Sequence, residues 1–326
     1  MGKRRIRCLQ ALGIRDIDAF DIREDRRNET TQKYGVTALN KLPDAEQWNY
    51  DIAIISLPPQ LHFQCMEMCI ERKTHFFVEA SVLDEGLAEL GRKAKSLKVV
   101  AAPSATLLFH PAIQGIISAV KGGKIGSISH FMYQSGQYLP DWHPYEPVAD
   151  YYVSNKQTGG AREIVPFEMT WLVQCFGWPR EVFASVEKTI EIPGAPEIDD
   201  TYSLLMKFAG FSGSLVVDVV ARAATRRMII NGSEGQIRWD WDDDHIKLFT
   251  TQAGKWENLS YEKGKSESGY NANISESMYV DEICEFIAAT QGGEYRNNLA
   301  DDAAVLSILF ASETASAEGR KVCFPR

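Results

Sequence analysis

Gly2 and Asp21 stand 21 − 2 = 19 positions apart. A glycine opening a helix, and an acid ending the next strand about 20 residues on, form the closing part of a dinucleotide-binding turn. The helix N-terminus faces a pyrophosphate and the acid accepts hydrogen bonds from the adenosine ribose. Asp21 in that role repels a 2′-phosphate and favours NAD, while Arg23 and Arg26 close behind it soften the preference and leave NADP open. A solvated acid at a strand end is the plainer reading of Asp21.

A second group of residues suits carbohydrate. In Gln137–Pro144 the order is Gln-Tyr-Leu-Pro-Asp-Trp-His-Pro. The Trp142 face can stack on the CH surface of a sugar while Asp141 and His143 bind hydroxyls. The alternative is a loop packed by its own aromatic rings. Arg222 and Arg226 could hold an anionic group on such a substrate, although arginines at strand ends are commonly solvated. Motifs for other chemistries are missing: there is no P-loop, HExxH, GxSxG or zinc-knuckle spacing. The acidic Trp239–Asp244 stretch lacks the calcium-loop pattern and reads as a turn between strands.

These residues need a scaffold. The chain has 326 residues, 44% hydrophobic and 24% charged, which predicts two domains with ordinary cores. A net charge of −9 and a pI near 5.3 argue against nucleic acid or an anionic membrane as partner. Six scattered cysteines without a CxxC pair read as reduced thiols, no apolar run is long enough to span a bilayer, and the expected compartment is the cytoplasm.

From residue 3 to residue 105, helices alternate with short apolar strands. Helices are expected over 3–12, 22–34, 62–71 and 83–98, and strands over 17–21, 50–59, 74–80 and 99–105. That alternation predicts a parallel sheet, so residues 1–105 are read as a Rossmann dinucleotide-binding domain. After a helix over 110–121, strands follow one another over 127–135, 182–192, 201–208, 213–221, 226–231 and 235–240. Residues 106–326 are therefore read as an α+β domain with a mixed or antiparallel sheet, closed by helices over 275–293 and 300–319, for substrate binding and oligomerisation. A Rossmann domain opens with a strand and two further glycines. Gly2 is read as the third glycine of a fingerprint whose beginning is absent here, the alternative being that Met1 is the true start.

The segments 17–27, 51–62, 75–87, 122–131, 230–240 and 316–322, in this order and spacing, resemble the Gfo/Idh/MocA family of nicotinamide-dependent sugar oxidoreductases. The resemblance implies that Leu57, Pro58 and His62 line the nicotinamide ribose. It places Glu79-Ala80-Ser81 where the family has Glu-Lys-Pro, so Ala80 replaces the lysine that assists proton transfer. Glu163 and Phe167 take the spacing of the family's Asp and His, and phenylalanine cannot carry a proton. Glu168 or His143 would then serve as acid or base, with Asp141, Trp142, Arg162, Glu163 and Arg222 around the substrate. Glu168 as an acid near a helix start, and Arg162 with Glu163 as a structural ion pair, are the competing readings. The resemblance implies an oxidoreductase acting on a sugar, nucleotide sugar or sugar acid, in surface-polysaccharide metabolism, and a homo-oligomer. The alternative is a sugar- or nucleotide-binding protein that kept the fold and lost the chemistry.

Overall fold

The structure is a computed structural model that describes residues 1–44, 47–143, 146–264, 266 and 274–324; Pro144, at the end of the aromatic loop, lies outside them. The chain divides into two compact units. The first comprises Met1–Ala80, Asp84–Thr106 and Glu276–Asp301, and the second comprises Ser81–Leu83, Leu107–Ser275 and Asp302–Arg326. A single boundary at residue 105 leaves Glu276–Asp301 out of the first unit, to which it belongs.

In the first unit, helix α1 (Gly2–Ala11) buries Ile6, Cys8 and Leu9 on one side. Strand β1 (Asp18–Phe20) leads to α2 (Glu24–Tyr34), which stops at Gly35 in the left-handed conformation at φ 66°. Strand β2 (Thr37–Leu39) returns parallel to β1, with Ala19 opposite Ala38. This strand escapes the sequence pattern, because three residues are too few to display a period of two. A separate parallel sheet has the order β3 (Ile52–Ile55), β4 (His75–Val78), β5 (Ala101–Pro103). Its crossovers are α3 (His62–Glu71) and α4 (Leu87–Leu97). Phe76 and Phe77 of the middle strand are fully buried, as expected for a parallel strand covered on both faces. Helix α7 (Glu276–Thr290) completes this core with Phe286, whose ring lies 5.9 Å from that of Phe77.

In the second unit, α5 (Pro111–Lys121) and β6 (Ile128–Gly136) precede a long irregular stretch and α6 (Ala161–Phe176). Strands β7 (Glu181–Glu187), β8 (Thr201–Lys207), β9 (Ser212–Asp218), β10 (Thr225–Gly232), β11 (Gly235–Asp240), β12 (His245–Thr250) and β13 (Lys255–Ser260) follow. With β14 (Val322–Cys323), which comes after α8 (Leu299–Glu318), they build one nine-stranded sheet, β13-β12-β11-β10-β6-β9-β8-β7-β14. Its one parallel pair is β6 with β9, so the sheet is mixed, as the succession of strands implied. Trp241–Asp244 is the turn between β11 and β12.

Burial alternates along these strands. Tyr202, Leu204 and Met206 of β8, Phe131 and Tyr133 of β6, and Leu215 and Val217 of β9 point into the core that also holds Val165, Trp171 and Leu172 of α6. The residues between them face outward, and Phe183, Leu205 and Met132 remain exposed there. Among the described residues no helix is long and apolar enough to cross a membrane.

Candidate functional site

In the first unit the chemistry lies beyond the carboxyl ends of the parallel strands. Asp21 follows β1 directly, and its Oδ1 accepts the Arg23 amide at 2.8 Å, which fixes the carboxylate as a short turn. Arg27 donates to the Asp21 carbonyl at 2.7 Å. The Arg23 guanidinium turns away to Asp25, where both partners are largely exposed. Ile22, next to Asp21, is 85% exposed, and Leu57 and Leu61 beyond β3 are exposed as well. Pro58 is also exposed, while Pro59 is buried. Apolar side chains left bare beside a strand-end acid fit the adenine and ribose of a dinucleotide, and α1 opens at Gly2 with no acid in its first turn to oppose a pyrophosphate. On these grounds Asp21, Ile22 and the start of α1 suit the adenosine and pyrophosphate of a dinucleotide.

His62 and Glu79 are less free. His62 is buried, its Nε2 lies 2.8 Å from the Leu57 carbonyl, and burial pushes its pKa down, so it stays neutral and braces the turn that opens α3. Its Nδ1 has no partner among the described residues. Glu79 is gripped by Arg5 of α1 at 2.7 and 2.9 Å and accepts from Ser56 at 3.1 Å. Arg5 also meets Glu282 of α7 at 2.8 Å and lies 4.4 Å from the Phe77 ring centroid. Glu282 is itself fully buried and accepts from Ser104, the Ala105 amide and Thr106 at 2.6 to 3.0 Å. The buried guanidinium holds the Glu79 carboxyl below its usual range despite desolvation. Sequence reasoning missed Arg5 and Glu282: a basic helix start looks solvated, and no local pattern links residues 277 apart. Ala80, beside Glu79, brings no polar side chain.

In the second unit α6 carries two carboxyls on different faces. Glu168 is fully buried, and four donors reach it: Tyr133 and Ser135 of β6 at 2.7 Å each, Trp171 at 3.1 Å and Arg226 of β10 at 2.9 Å. A carboxylate has about four lone-pair sites, and here all are taken. Glu168 therefore ties α6 to the sheet, and the expectation that it exchanges a proton with substrate does not suit a saturated group. Arg226 lies 4.5 Å from the Trp241 ring centroid in the same network.

Glu163 is set in the first turn of α6, five residues earlier and roughly 140° around the helix. The glycine pair before it is sterically required. A Cβ on Gly159 would stand 2.0 Å from the Val153 carbonyl oxygen, and Gly160 has φ +66°. Tyr152, held by Thr158 Oγ1 on its carbonyl at 2.9 Å, donates its hydroxyl to Glu163 Oε1 at 2.6 Å. Glu163 Oε2 is shut off from solvent and has no hydrogen-bond partner among the described residues. Burial pushes its pKa up to about 7, with the Tyr152 hydrogen bond opposing the rise. The adjacent Arg162 does not neutralise it. Its guanidinium goes to Glu313 of α8 at 2.6 Å and to the carbonyls of Val82 and Gln157. Arg162 is thus paired structurally, with Glu313 rather than with Glu163. Phe167 follows one turn after Glu163.

The aromatic loop lies near this helix start in sequence and shares its segment. His143 stacks on Tyr151, centroids 4.9 Å apart, and Tyr151 meets Tyr152 edge-on at 6.1 Å. Burial lowers the His143 pKa. Trp142 donates to the Gln137 carbonyl at 3.3 Å and is half-buried, whereas Asp141 is exposed. Arg222 is exposed, its guanidinium 3.6 Å from the Tyr138 ring centroid. The structure thus joins His143, Tyr151, Tyr152 and Glu163 in one chain of contacts; Tyr151 and Tyr152 were missed because tyrosines in a loop carry no spacing signal.

Residues 113–238 match the model of the GFO/IDH/MocA C-terminal domain. No curated protein matches the chain. Among solved structures, an oxidoreductase domain protein from Kribbella flavida superposes with a TM-score of 0.85 at 18% identity, covering 100% of this chain and 96% of that one. Levoglucosan dehydrogenase in complex with NADH and levoglucosan gives 0.84 at 18% identity, with 100% and 97% covered. An oxidoreductase from Agrobacterium radiobacter in complex with NAD+, L-tartaric acid and magnesium gives 0.84 at 14%, with 99% and 95% covered. At these identities the likeness is one of fold.

Proposed function

We propose, from the match of residues 113–238 to the model of the GFO/IDH/MocA C-terminal domain, that this protein is an NAD(P)-dependent oxidoreductase interconverting a secondary alcohol and a ketone on a sugar, nucleotide sugar or sugar acid. The observation that carries the reading is the strand end at Asp21. There an anchored carboxylate and the bare side chain of Ile22 offer a ribose and an adenine their ordinary partners. When bound, the nicotinamide accepts or returns a hydride. This chain's residues bind the dinucleotide through Asp21 and the start of α1, with Leu57, Pro58 and His62 toward the nicotinamide ribose. Asp141, Trp142, His143 and Arg222 supply the sugar contacts, and a role in surface-polysaccharide metabolism rests on the family resemblance. NADH binding by fluorescence or calorimetry tests this reading, with Asp21→Ala as the control; no binding by the unaltered protein would sink it.

A binding protein without catalysis is the second reading. The specific observation in its favour is that Ala80 and Phe167 stand where a lysine and a histidine would move protons. NADH and sugar binding without turnover is its signature.

The exposed face of the nine-stranded sheet supports a homodimer. Phe183 is in register with Leu205, Leu205 with Ser214 and Ser214 with Met132, giving an apolar stripe across β7, β8, β9 and β6. The six free cysteines fit a reducing cytoplasm.

A further inference from the structure

The oxidoreductase reading leaves a proton without an acceptor, since the usual lysine and histidine positions hold Ala80 and Phe167. Within the second unit one carboxyl oxygen is built to be available. Glu163 Oε2 is buried without a hydrogen-bond partner among the described residues, while Oε1 is occupied by Tyr152 at 2.6 Å. An unpaired buried oxygen costs about 1–3 kcal/mol, and it is tolerated where a ligand completes it.

The neighbours of Glu163 leave that oxygen unneutralised. Arg162 is taken by Glu313 of α8, which also accepts from Tyr202 of β8 at 3.1 Å. Lys156, in the preceding loop, faces Asp199 at 3.5 Å. Among the described residues Tyr152 is the one that hydrogen-bonds to Glu163, and Thr158 Oγ1 donates to the Tyr152 carbonyl at 2.9 Å. The carboxyl therefore sits on a rigid helix start, beside rings and closed ion pairs.

We propose that Glu163 exchanges the proton of the substrate hydroxyl through Oε2, with Tyr152 as the positioning residue for Oε1. This rests on the oxidoreductase reading. In the oxidative direction the carbon-bound hydrogen leaves with its electron pair to the oxidised nicotinamide dinucleotide. The hydroxyl O–H bond breaks, its electrons form the carbonyl, and the proton makes a new bond to Glu163 Oε2. Reduction runs the same bonds in reverse. A carboxyl poised near pH 7 exists in both forms and serves both directions.

The test pairs a spectroscopic titration with turnover. Infrared difference spectra of the whole protein between pH 5 and pH 9 should show a protonated carboxyl band disappearing with a midpoint near 7. The band should be absent in Glu163→Gln and displaced to higher pH in Tyr152→Phe. A panel of pyranoses and polyols with NAD+ should show kcat/KM reduced about 10²–10⁴-fold in Glu163→Gln, with NADH affinity unchanged and partial recovery in Glu163→Asp. NADH binding intact with no such band, or Glu163→Gln turning over like the unaltered protein, overturns the assignment. If the unaltered protein fails to bind NADH while the band persists, the oxidoreductase reading fails and takes this step with it.

Discussion

Tyr152 points its hydroxyl at Glu163 Oε1 across 2.6 Å and leaves Oε2 of the same carboxyl buried with no hydrogen-bond partner among the described residues. One oxygen is fixed and the other is kept open by the same packing. Glu168, on the same helix, has the opposite arrangement, with four donors and no vacancy. The two carboxyls differ in surroundings rather than in kind, and their expected behaviour differs accordingly.

The raised pKa of Glu163 makes stability depend on pH. Its folded value is about 7 against an ordinary 4.5, so between those values the folded state holds a proton that the unfolded chain has released. The contribution is fully present below about pH 4.5 and is lost as pH rises through 7. The change amounts to roughly 3 kcal/mol at most. Urea unfolding at pH 5 and pH 8 should show this slope in the unaltered protein and a flatter one in Glu163→Gln. Equal slopes would contradict it.

Glu168→Ala should cost about 3–5 kcal/mol, because it breaks an ion pair to a fully buried carboxylate and takes the acceptor from the buried hydroxyls of Tyr133 and Ser135. Denaturant midpoints measure this. A loss under 1 kcal/mol would mean that the four-donor network is not holding α6 to the sheet.

Arg5→Met should be comparably damaging, since Glu79 and Glu282 would both remain buried without a cation. Thermal unfolding followed by circular dichroism, together with protease sensitivity of the first unit, reports it. Unchanged stability would show that these carboxyls take up protons at little cost.

Asp21→Ala should weaken NADH binding about 10- to 100-fold, the loss of a charge-assisted hydrogen bond worth about 1.5–3 kcal/mol. It should also narrow the gap to NADPH, because the repulsion of a 2′-phosphate disappears. Calorimetry with both nucleotides decides; equal losses for the two would remove Asp21 from the ribose.

Leu205→Glu, in the centre of the exposed stripe, should shift sedimentation from dimer to monomer without altering the far-ultraviolet spectrum. A monomeric unaltered protein would rule out this interface.

The elements with strong patterns were legible in the sequence. Helix α3, helix α5 and strands β6 to β11 lie within a few residues of their expected positions, since apolar spacing reports directly on a buried face. Strand β13 was invisible because every residue in it is exposed, so it has no buried face to impose alternation. Helix α6 was masked by Pro166 within it and by the glycine pair before it. At the candidate site, spacing and resemblance brought Asp21 and Glu163 to attention. They could not separate Glu163 from Glu168, because what distinguishes them is which strands and loops deliver donors. Tyr133, Ser135 and Arg226 reach Glu168 from strands distant in sequence, and among the described residues Tyr152 alone hydrogen-bonds to Glu163.

The first unit is assembled from segments far apart in the chain, and this bears on how the protein is made. Arg5 leaves the ribosome 277 residues before its partner Glu282. At about 5–20 residues per second, that interval lasts some tens of seconds. Until α7 emerges, the nascent first unit holds a guanidinium with one of its two acidic partners and a Phe77 ring without Phe286 against it. Translation order thus makes each unit wait on late-made chain: the first on Glu276–Asp301, and the second on α8 and β14, which bring Glu313 to Arg162.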